Sequence, residues 1–271
     1  MKINILGSNG SIGKGLRSLN QEKFTFFSRL SSDKYFSISN PKEKSEYSKL
    51  NSNDVVLFLA ALSKPNYIEN NKVETINLNF INTSLILDTL LEKNVKILFA
   101  STDQVYGSNI DLACEDDQTN PKNFYAYSKL LIEEKYKTNQ NFKVLRFSQC
   151  VNGFDSFSLY SKDCIANNRK VELFKNHHRN LFSTDLLEEF LTRIKNNIIQ
   201  FENIPKILNF GGSNVIKKSE FSSYLTNYQV DYKPESKTHI PYISINTTLL
   251  EKLLQQKYKF NFTNWKNNIH E

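Results

Sequence analysis

The apolar run Lys2–Leu6 passes without a break into Gly7-Ser8-Asn9-Gly10-Ser11-Ile12-Gly13. A short strand followed at once by glycines at every third position restricts the fold more than any other feature of the chain. Glycine has no Cβ, so the backbone can turn tightly there and come close to a ligand. The helix that follows presents unpaired N–H groups and the positive end of its dipole at the turn, which suits a pyrophosphate. The spacing is G-x-x-G-x-x-G instead of the stricter G-x-G-x-x-G, but the mechanics are similar. Gly7, Gly10, Ser11, Ile12 and Gly13 are therefore the expected dinucleotide cradle, and the strand–turn–helix opening points to a doubly wound α/β fold.

The rest of the first half keeps that rhythm. Residues 24–28 read as the second strand, whose end meets the adenosine ribose in such folds. An acid there binds the 2′-hydroxyl, whereas Arg accommodates a 2′-phosphate. Ser28-Arg29 stands there, with no acid until Asp33, which favours NADP over NAD. Residues 31–50 are polar, with a turn at Asn40-Pro41 and a helix expected after it. The near-continuous apolar run 54–60 suits a parallel strand buried on both faces. The small residues Ala60, Ala61 and Ser63 follow at the strand exit. Ile76, Phe80, Leu87 and Leu91 mark a helix over 75–91, residues 95–100 a strand, and residues 142–148 another. This alternation predicts a parallel doubly wound sheet. Beyond Asn152 the pattern changes to short elements and polar stretches. A strand is expected at 206–210, with helices at 218–228 and 247–256 and an aromatic end at 258–265. The predicted division is a dinucleotide-binding Rossmann core over 1–152 and a small, mainly substrate-binding C-terminal lobe over 153–271, with 206–230 returning to the core.

The chemistry is carried by two neighbouring motifs. Ser101-Thr102-Asp103-Gln104-Val105-Tyr106-Gly107 ends the fourth predicted strand, and Tyr125-Ala126-Tyr127-Ser128-Lys129 heads a helix that runs to about Lys137. Tyr125 and Lys129 stand at i and i+4, on one helix face. A lysine ammonium beside a phenol favours the phenolate, so the Tyr125 pKa is expected to fall from its reference value of about 10. Such a tyrosine can give or take a proton, and Thr102 supplies a second hydrogen bond to the same substrate oxygen. Tyr127 has Leu131 at i+4 and lacks that partner.

These motifs, with the glycine-rich start, resemble the extended short-chain dehydrogenase/reductase family, most closely its dTDP-4-dehydrorhamnose reductase branch. The resemblance covers essentially the whole chain and is strongest up to Ser148. It implies Thr102, Tyr125 and Lys129 as the catalytic residues, and adds Tyr125, Lys129, Ser148 and the small-residue segment with Ala60, Ala61 and Ser63 to the cofactor site. It also implies substrate contacts from Thr102, Asp103, Gln104, Gln149 and Asn152. Asn79, in Asn79-Phe80-Ile81-Asn82-Thr83, falls where the family has an Asn supporting the active-site helix. Arg179, ahead of Asp185, falls near the family's diphosphate-binding Arg, with a spacing one residue shorter; a planar guanidinium binds phosphate bidentately. In the 4,6-dehydratases of the family the Thr is followed by Asp and Glu, but Gln104 has no titratable proton, which argues against dehydration. Gln104 and Tyr106-Gly107 also depart from the reductase branch, which has an aromatic and Phe-Asp-Gly there. The implied activity is an NAD(P)-dependent reduction of a keto group on a nucleotide-activated sugar, in cell-surface polysaccharide precursor synthesis. A nucleotide-sugar epimerase with tightly held NAD, or a non-catalytic NADP-binding regulatory subunit, are the alternatives.

Composition is consistent with that class. A chain of 271 residues with 39% hydrophobic and 23% charged residues is long enough for one large α/β domain with an appendage. The formal charge of +7 is spread as solvated lysines with no dense basic block, so no nucleic-acid partner is expected. No run approaches a membrane span of about 20 apolar residues, nor does the start resemble a signal peptide. Cys114, Cys150 and Cys164 match no metal spacing, and His177 and His178 have no further ligand near them, so no metal is expected. A cytoplasmic protein with reduced thiols follows as the expectation. The partner expected is a nucleotide-sugar substrate, with a homodimer left open.

Overall fold

Successive residues of a strand face opposite sides of a sheet, and the central strands of this chain carry large apolar residues on both sides. Ile3, Ile5, Val55, Leu57 and Leu98 enter one hydrophobic cluster, while Leu6, Val56, Phe58, Ile97 and Phe99 enter another. Such strands must be covered on both faces. A computed structural model, which describes residues 1–41, 43, 46–174, 176–225, 230–233, 241–263 and 265, shows how.

In chain order the elements begin with β1 (Lys2–Leu6), α1 (Ser11–Leu19), β2 (Thr25–Ser28), β3 (Lys34–Tyr35) and β4 (Asp54–Phe58). Next come α2 (Pro65–Asn70), α3 (Lys72–Ile76), α4 (Thr83–Leu91), β5 (Lys96–Thr102), β6 (Ile110–Ala113), α5 (Phe124–Tyr136) and β7 (Phe142–Phe147). The chain continues with α6 (Ser156–Ala166), β8 (Val171–Phe174), β9 (His178–Arg179), α7 (Thr184–Lys195) and β10 (Ile207–Phe210). It ends with β11 (Ile216–Lys217), β12 (Val230–Lys233), β13 (Ile243–Ile245) and α8 (Thr248–Leu254). Seven strands form one sheet in the order β10-β7-β5-β4-β1-β2-β3, every pair parallel. This is the α/β doubly wound Rossmann arrangement expected from the strand–helix alternation. Leu16 of α1, Phe190 of α7 and Leu250 of α8 cover one face, and Leu87 of α4 and Ile132 of α5 cover the other.

Some expectations for individual elements need correction. The helix after Asn40-Pro41 is a single 3₁₀ turn, Glu46–Lys49, anchored by buried Tyr47. The helix expected over 75–91 is interrupted by a π-helical turn, Asn77–Asn82. Its extra residue per turn changes which side chains face inward, and Asn79 is buried as a result. The segment expected as helix 218–228 is a 3₁₀ run, Lys218–Tyr224, and 226–228 lie outside the described residues. Of the 206–230 stretch expected back in the core, β10 joins the sheet edge. Ile216, Phe221 and Leu225 instead pack into a separate cluster with Val151, Leu173 and Trp265. The turn at Gly211-Gly212 sends them there: a Cβ on Gly212 would stand 2.4 Å from the Leu181 carbonyl oxygen, so only glycine lets the chain pass so close.

Candidate active site

The glycine loop closes on the exit of β4. Gly7 has φ of +90°, and a Cβ there would lie 2.5 Å from the Ala60 nitrogen. A Cβ on Gly13 would lie 2.3 Å from the Ser8 carbonyl oxygen. The loop is therefore pressed flat against its neighbours, and the first turn of α1 opens into a cleft. First-turn amides have no partner inside their own helix, and α1 has no acidic residue in that turn to occupy them. Loop and helix end together make a seat for an anion.

The cleft holds about 740 Å³. All the residues expected to meet the cofactor line it: Gly7, Gly10, Ser11, Ile12, Gly13, Ser28, Arg29, Ala60, Ala61, Ser63, Tyr125, Lys129 and Ser148. Thr102, Gln104 and Gln149 line its other end. Asp103, Asn152 and Arg179, expected at the substrate, are not among the lining residues. Asp103 is buried, accepting a hydrogen bond from the Ser148 hydroxyl at 2.9 Å, with the Arg179 Nε 3.6 Å from its Oδ2. Arg179 is 4% exposed and also donates to the His178 carbonyl at 2.7 Å. Its guanidinium thus ties β9 to the end of β5. The Asn152 amide donates to the Ser11 carbonyl at 3.0 Å, latching the chain after β7 onto the glycine loop. Missed from the sequence were Phe36, Ser37, Ile38 and Ser39, which wall the cleft beyond β3. A two-residue strand gives no apolar period by which to find them.

Helix α5, which carries Tyr125 and Lys129, is held by several side chains. Asn123 caps α5 by accepting from the Ala126 amide at 2.8 Å and donates to the Gln104 side chain at 2.7 Å. Asn79 accepts from the Leu62 amide at 2.8 Å and donates to the Ser128 hydroxyl at 3.2 Å. It thereby joins the small-residue segment to α5, the supporting position expected from the resemblance. Lys129 is buried and donates to the Ala100 carbonyl at 2.8 Å, with Nζ 5.9 Å from the Tyr125 ring centroid. Glu133, one turn further along α5, is held by Arg146 at 2.7 Å and by the Ser101 hydroxyl. Tyr127 is exposed, its ring tilted against that of Phe124, and lies outside the cleft.

The expected lowering of the Tyr125 pKa is overturned. Burial, with the nearby Asp103 carboxylate, pushes Tyr125 up to about 12. Burial likewise brings Lys129 down to about 7, against the pull of Glu133. Desolvation penalises both charged forms and outweighs the attraction between them. At neutral pH Tyr125 keeps its proton.

A stability consequence follows for the cofactor-free protein. Burial also brings Lys218 down to about 7. Above that value the folded chain has released protons that unfolded lysines, with a reference pKa of about 10.4, still bind. Stability is therefore expected to rise from pH 7 toward pH ~10, and to fall again once unfolded tyrosines ionise above that. Urea midpoints across this range check it. A flat or falling midpoint between pH 7 and pH ~9.5 would contradict burial of these ammonium groups.

The chain was compared with known proteins. A family model described as RmlD substrate binding domain matches residues 1–271. A UDP-N-acetyl-alpha-D-glucosaminuronate decarboxylase from Bacillus cytotoxicus is 36% identical over 75 residues, 28% of this chain and 23% of that protein. That match thus spans under a quarter of the curated relative. Among solved structures, the fold is similar to a hypothetical dTDP-4-dehydrorhamnose reductase from Sulfolobus tokodaii. The TM-score is 0.78 at 19% identity, covering 97% of this chain and 99% of that one. It is also similar to MoeE5 in complex with UDP-glucose and NAD, with a TM-score of 0.79 at 16% identity, covering 100% and 98%.

Proposed function

The chain belongs to the RmlD substrate-binding-domain family of extended short-chain dehydrogenases/reductases, and on that premise we propose that it is an NADP-preferring reductase of a keto group on a nucleotide-linked sugar. The observation that carries this reading is one cleft containing the glycine loop, Thr102, Tyr125 and Lys129, with the uncharged Gln104 beside them. In this reading residues 1–152 mainly hold the cofactor and 153–271 mainly meet the substrate. A role in cell-surface polysaccharide precursor synthesis is part of the same proposal.

The residues lining the cleft would hold a reduced nicotinamide cofactor, which would supply the hydride for the carbonyl carbon. Tyr125 delivers its proton to the carbonyl oxygen, and the Thr102 hydroxyl donates a hydrogen bond to that oxygen. A tyrosine pushed up to about 12 suits a donor, because it arrives at the reaction protonated. Lys129, at about 7, is the stronger acid of the two and can return the proton from its ammonium. Lys129, which lines the same cleft, would also hold the nicotinamide ribose. An epimerase would begin with the opposite step, in which a base takes a proton from a sugar hydroxyl, and a tyrosine this reluctant to ionise suits that less. The reading is tested by mixing protein, NADPH and a nucleotide-linked keto sugar and following loss of NADPH. The expected result is turnover with the linked sugar and little with the free sugar. Equal turnover of both would point to a smaller carbonyl substrate.

Cofactor preference has its own support. Arg29 lines the cleft and is exposed, with Ser28 beside it. Asp33, the first acid after β2, turns away: its carboxylate accepts from Ser28 and Ser8 hydroxyls at 2.7 and 2.8 Å and pairs with Arg17 at 2.7 Å. Burial works against the Asp33 charge, but these partners hold its pKa below the usual carboxylate value. Arg29→Ala is expected to weaken NADPH binding by about 1.5–3 kcal/mol, the range for a hydrogen bond to a charged group, and to leave NADH binding nearly unchanged. Titrating both cofactors against both proteins checks this. Equal losses, or a wild type that prefers NADH, would overturn it.

A further inference from the structure

A second cavity, of about 290 Å³, shares Gln149 and Ser156 as wall residues with the main cleft. Phe157, Tyr160 and Phe174 supply aromatic walls, and Lys218 reaches it from the start of the 3₁₀ run Lys218–Tyr224. Lys218 is 6% exposed, and its Nζ lies 3.3 Å from the centroid of the Phe157 ring. Among the described residues no hydrogen bond or ion pair reaches that ammonium. Asp155 is the acid whose field favours it, but the Asp155 carboxylate caps α6, accepting from the Asn152, Phe157 and Ser158 amides. Glu172, the acid that lines this cavity, is exposed. A cation removed from water and left without an anion is costly to keep in a folded protein. Side chains of this kind cluster where a ligand completes the pairing.

We propose that Lys218 is the anion-binding group of the substrate pocket and takes a phosphate oxygen of the nucleoside diphosphate to which the sugar is attached. The proposal rests on the nucleotide-sugar reading and gives Lys218 the part that the sequence suggested for Arg179. Arg179 is spent on Asp103, whereas Lys218 lines a cavity that shares Gln149 and Ser156 with the cleft holding Thr102 and Tyr125. A substrate with its carbonyl at those residues would extend past Gln149 into the second cavity. The aromatic walls there suit a base, and the ammonium suits the phosphates between base and sugar.

The test uses the NADPH-saturated protein and calorimetric titration with UDP, dTDP, GDP, CDP and the matching nucleosides. Lys218→Met keeps the length and removes the charge, and Lys218→Arg restores it. Lys218→Met is expected to weaken the preferred diphosphate about tenfold or more, as loss of a charge-assisted hydrogen bond would. It should leave the nucleoside, NADPH binding and the unfolding temperature unchanged or the last slightly raised. Lys218→Arg should recover part of the diphosphate affinity. Unchanged diphosphate binding in Lys218→Met would overturn the assignment. So would equal losses for nucleoside and diphosphate with a lower unfolding temperature, because that marks a packing role. A wild type that binds NADPH but none of the four diphosphates would instead remove the nucleotide-sugar reading itself.

Discussion

Tyr125→Phe should still bind NADPH with wild-type affinity while its turnover falls about 10²–10⁴-fold, the contribution of a positioned general acid. The substitution keeps the ring, its place on α5 and its packing, and removes only the transferable proton. The loss should appear in kcat and kcat/KM alike, because the proton moves in the transition state and not on binding. Tyr127→Phe is the internal control. Tyr127 lies on the exposed side of the helix, outside the cleft, and its loss should be mild. Comparable losses at both positions would place the proton donor elsewhere and dismantle the site described here.

The other large effect concerns stability. Arg179 and Asp103 form an ion pair whose side chains are 5% and 3% exposed. Removing one member of a buried pair leaves the other charge without compensation, which costs about 3–5 kcal/mol. Arg179→Ala is therefore expected to destabilise the fold by that amount, measured by urea unfolding at pH 7. Adding Asp103→Asn should recover part of the loss, because it removes the orphaned charge. The Asp103 pKa is raised by burial and restrained by Arg179, so Arg179→Ala alone should also make this carboxyl easier to protonate. If Arg179→Ala instead kept full stability and raised only KM for a nucleotide-linked substrate, Arg179 would be a diphosphate ligand after all. The pair would then contribute nothing to the fold.

What the sequence revealed and what it hid separate along physical lines. The strands of the parallel sheet were readable because burial on both faces demands continuous apolar runs, as in residues 55–58 and 97–100. That Tyr125 and Lys129 stand together was readable because i and i+4 on a helix is a local relation, and both line the cleft. The glycine cradle was readable because only glycine permits the close approach of Gly7 to Ala60. Side chains whose partners lie far along the chain were not readable. Asp103 carries no mark in the sequence of its pairing with Arg179, nor Asn152 of its hold on Ser11. Lys218 reads as one more surface lysine until Phe157 and the second cavity are placed around it. The direction of the Tyr125 shift failed for the same reason. Proximity to Lys129 could be inferred from spacing, but the desolvation that weakens both charges comes from the assembled walls of the cleft.

Whether the protein reduces a sugar carbonyl or only recycles a hydride within it comes down to stoichiometry. Purified protein is mixed with NADPH deuterated at the transferable position and with a nucleotide-linked 4-keto sugar, and NADP formed and label in the sugar product are both counted. A reductase with Tyr125 as its proton donor should consume NADPH mole for mole with product and leave the deuterium on the former carbonyl carbon. Interconversion of sugar isomers with no net loss of NADPH, catalysed by a dinucleotide that stays on the protein throughout, would contradict it.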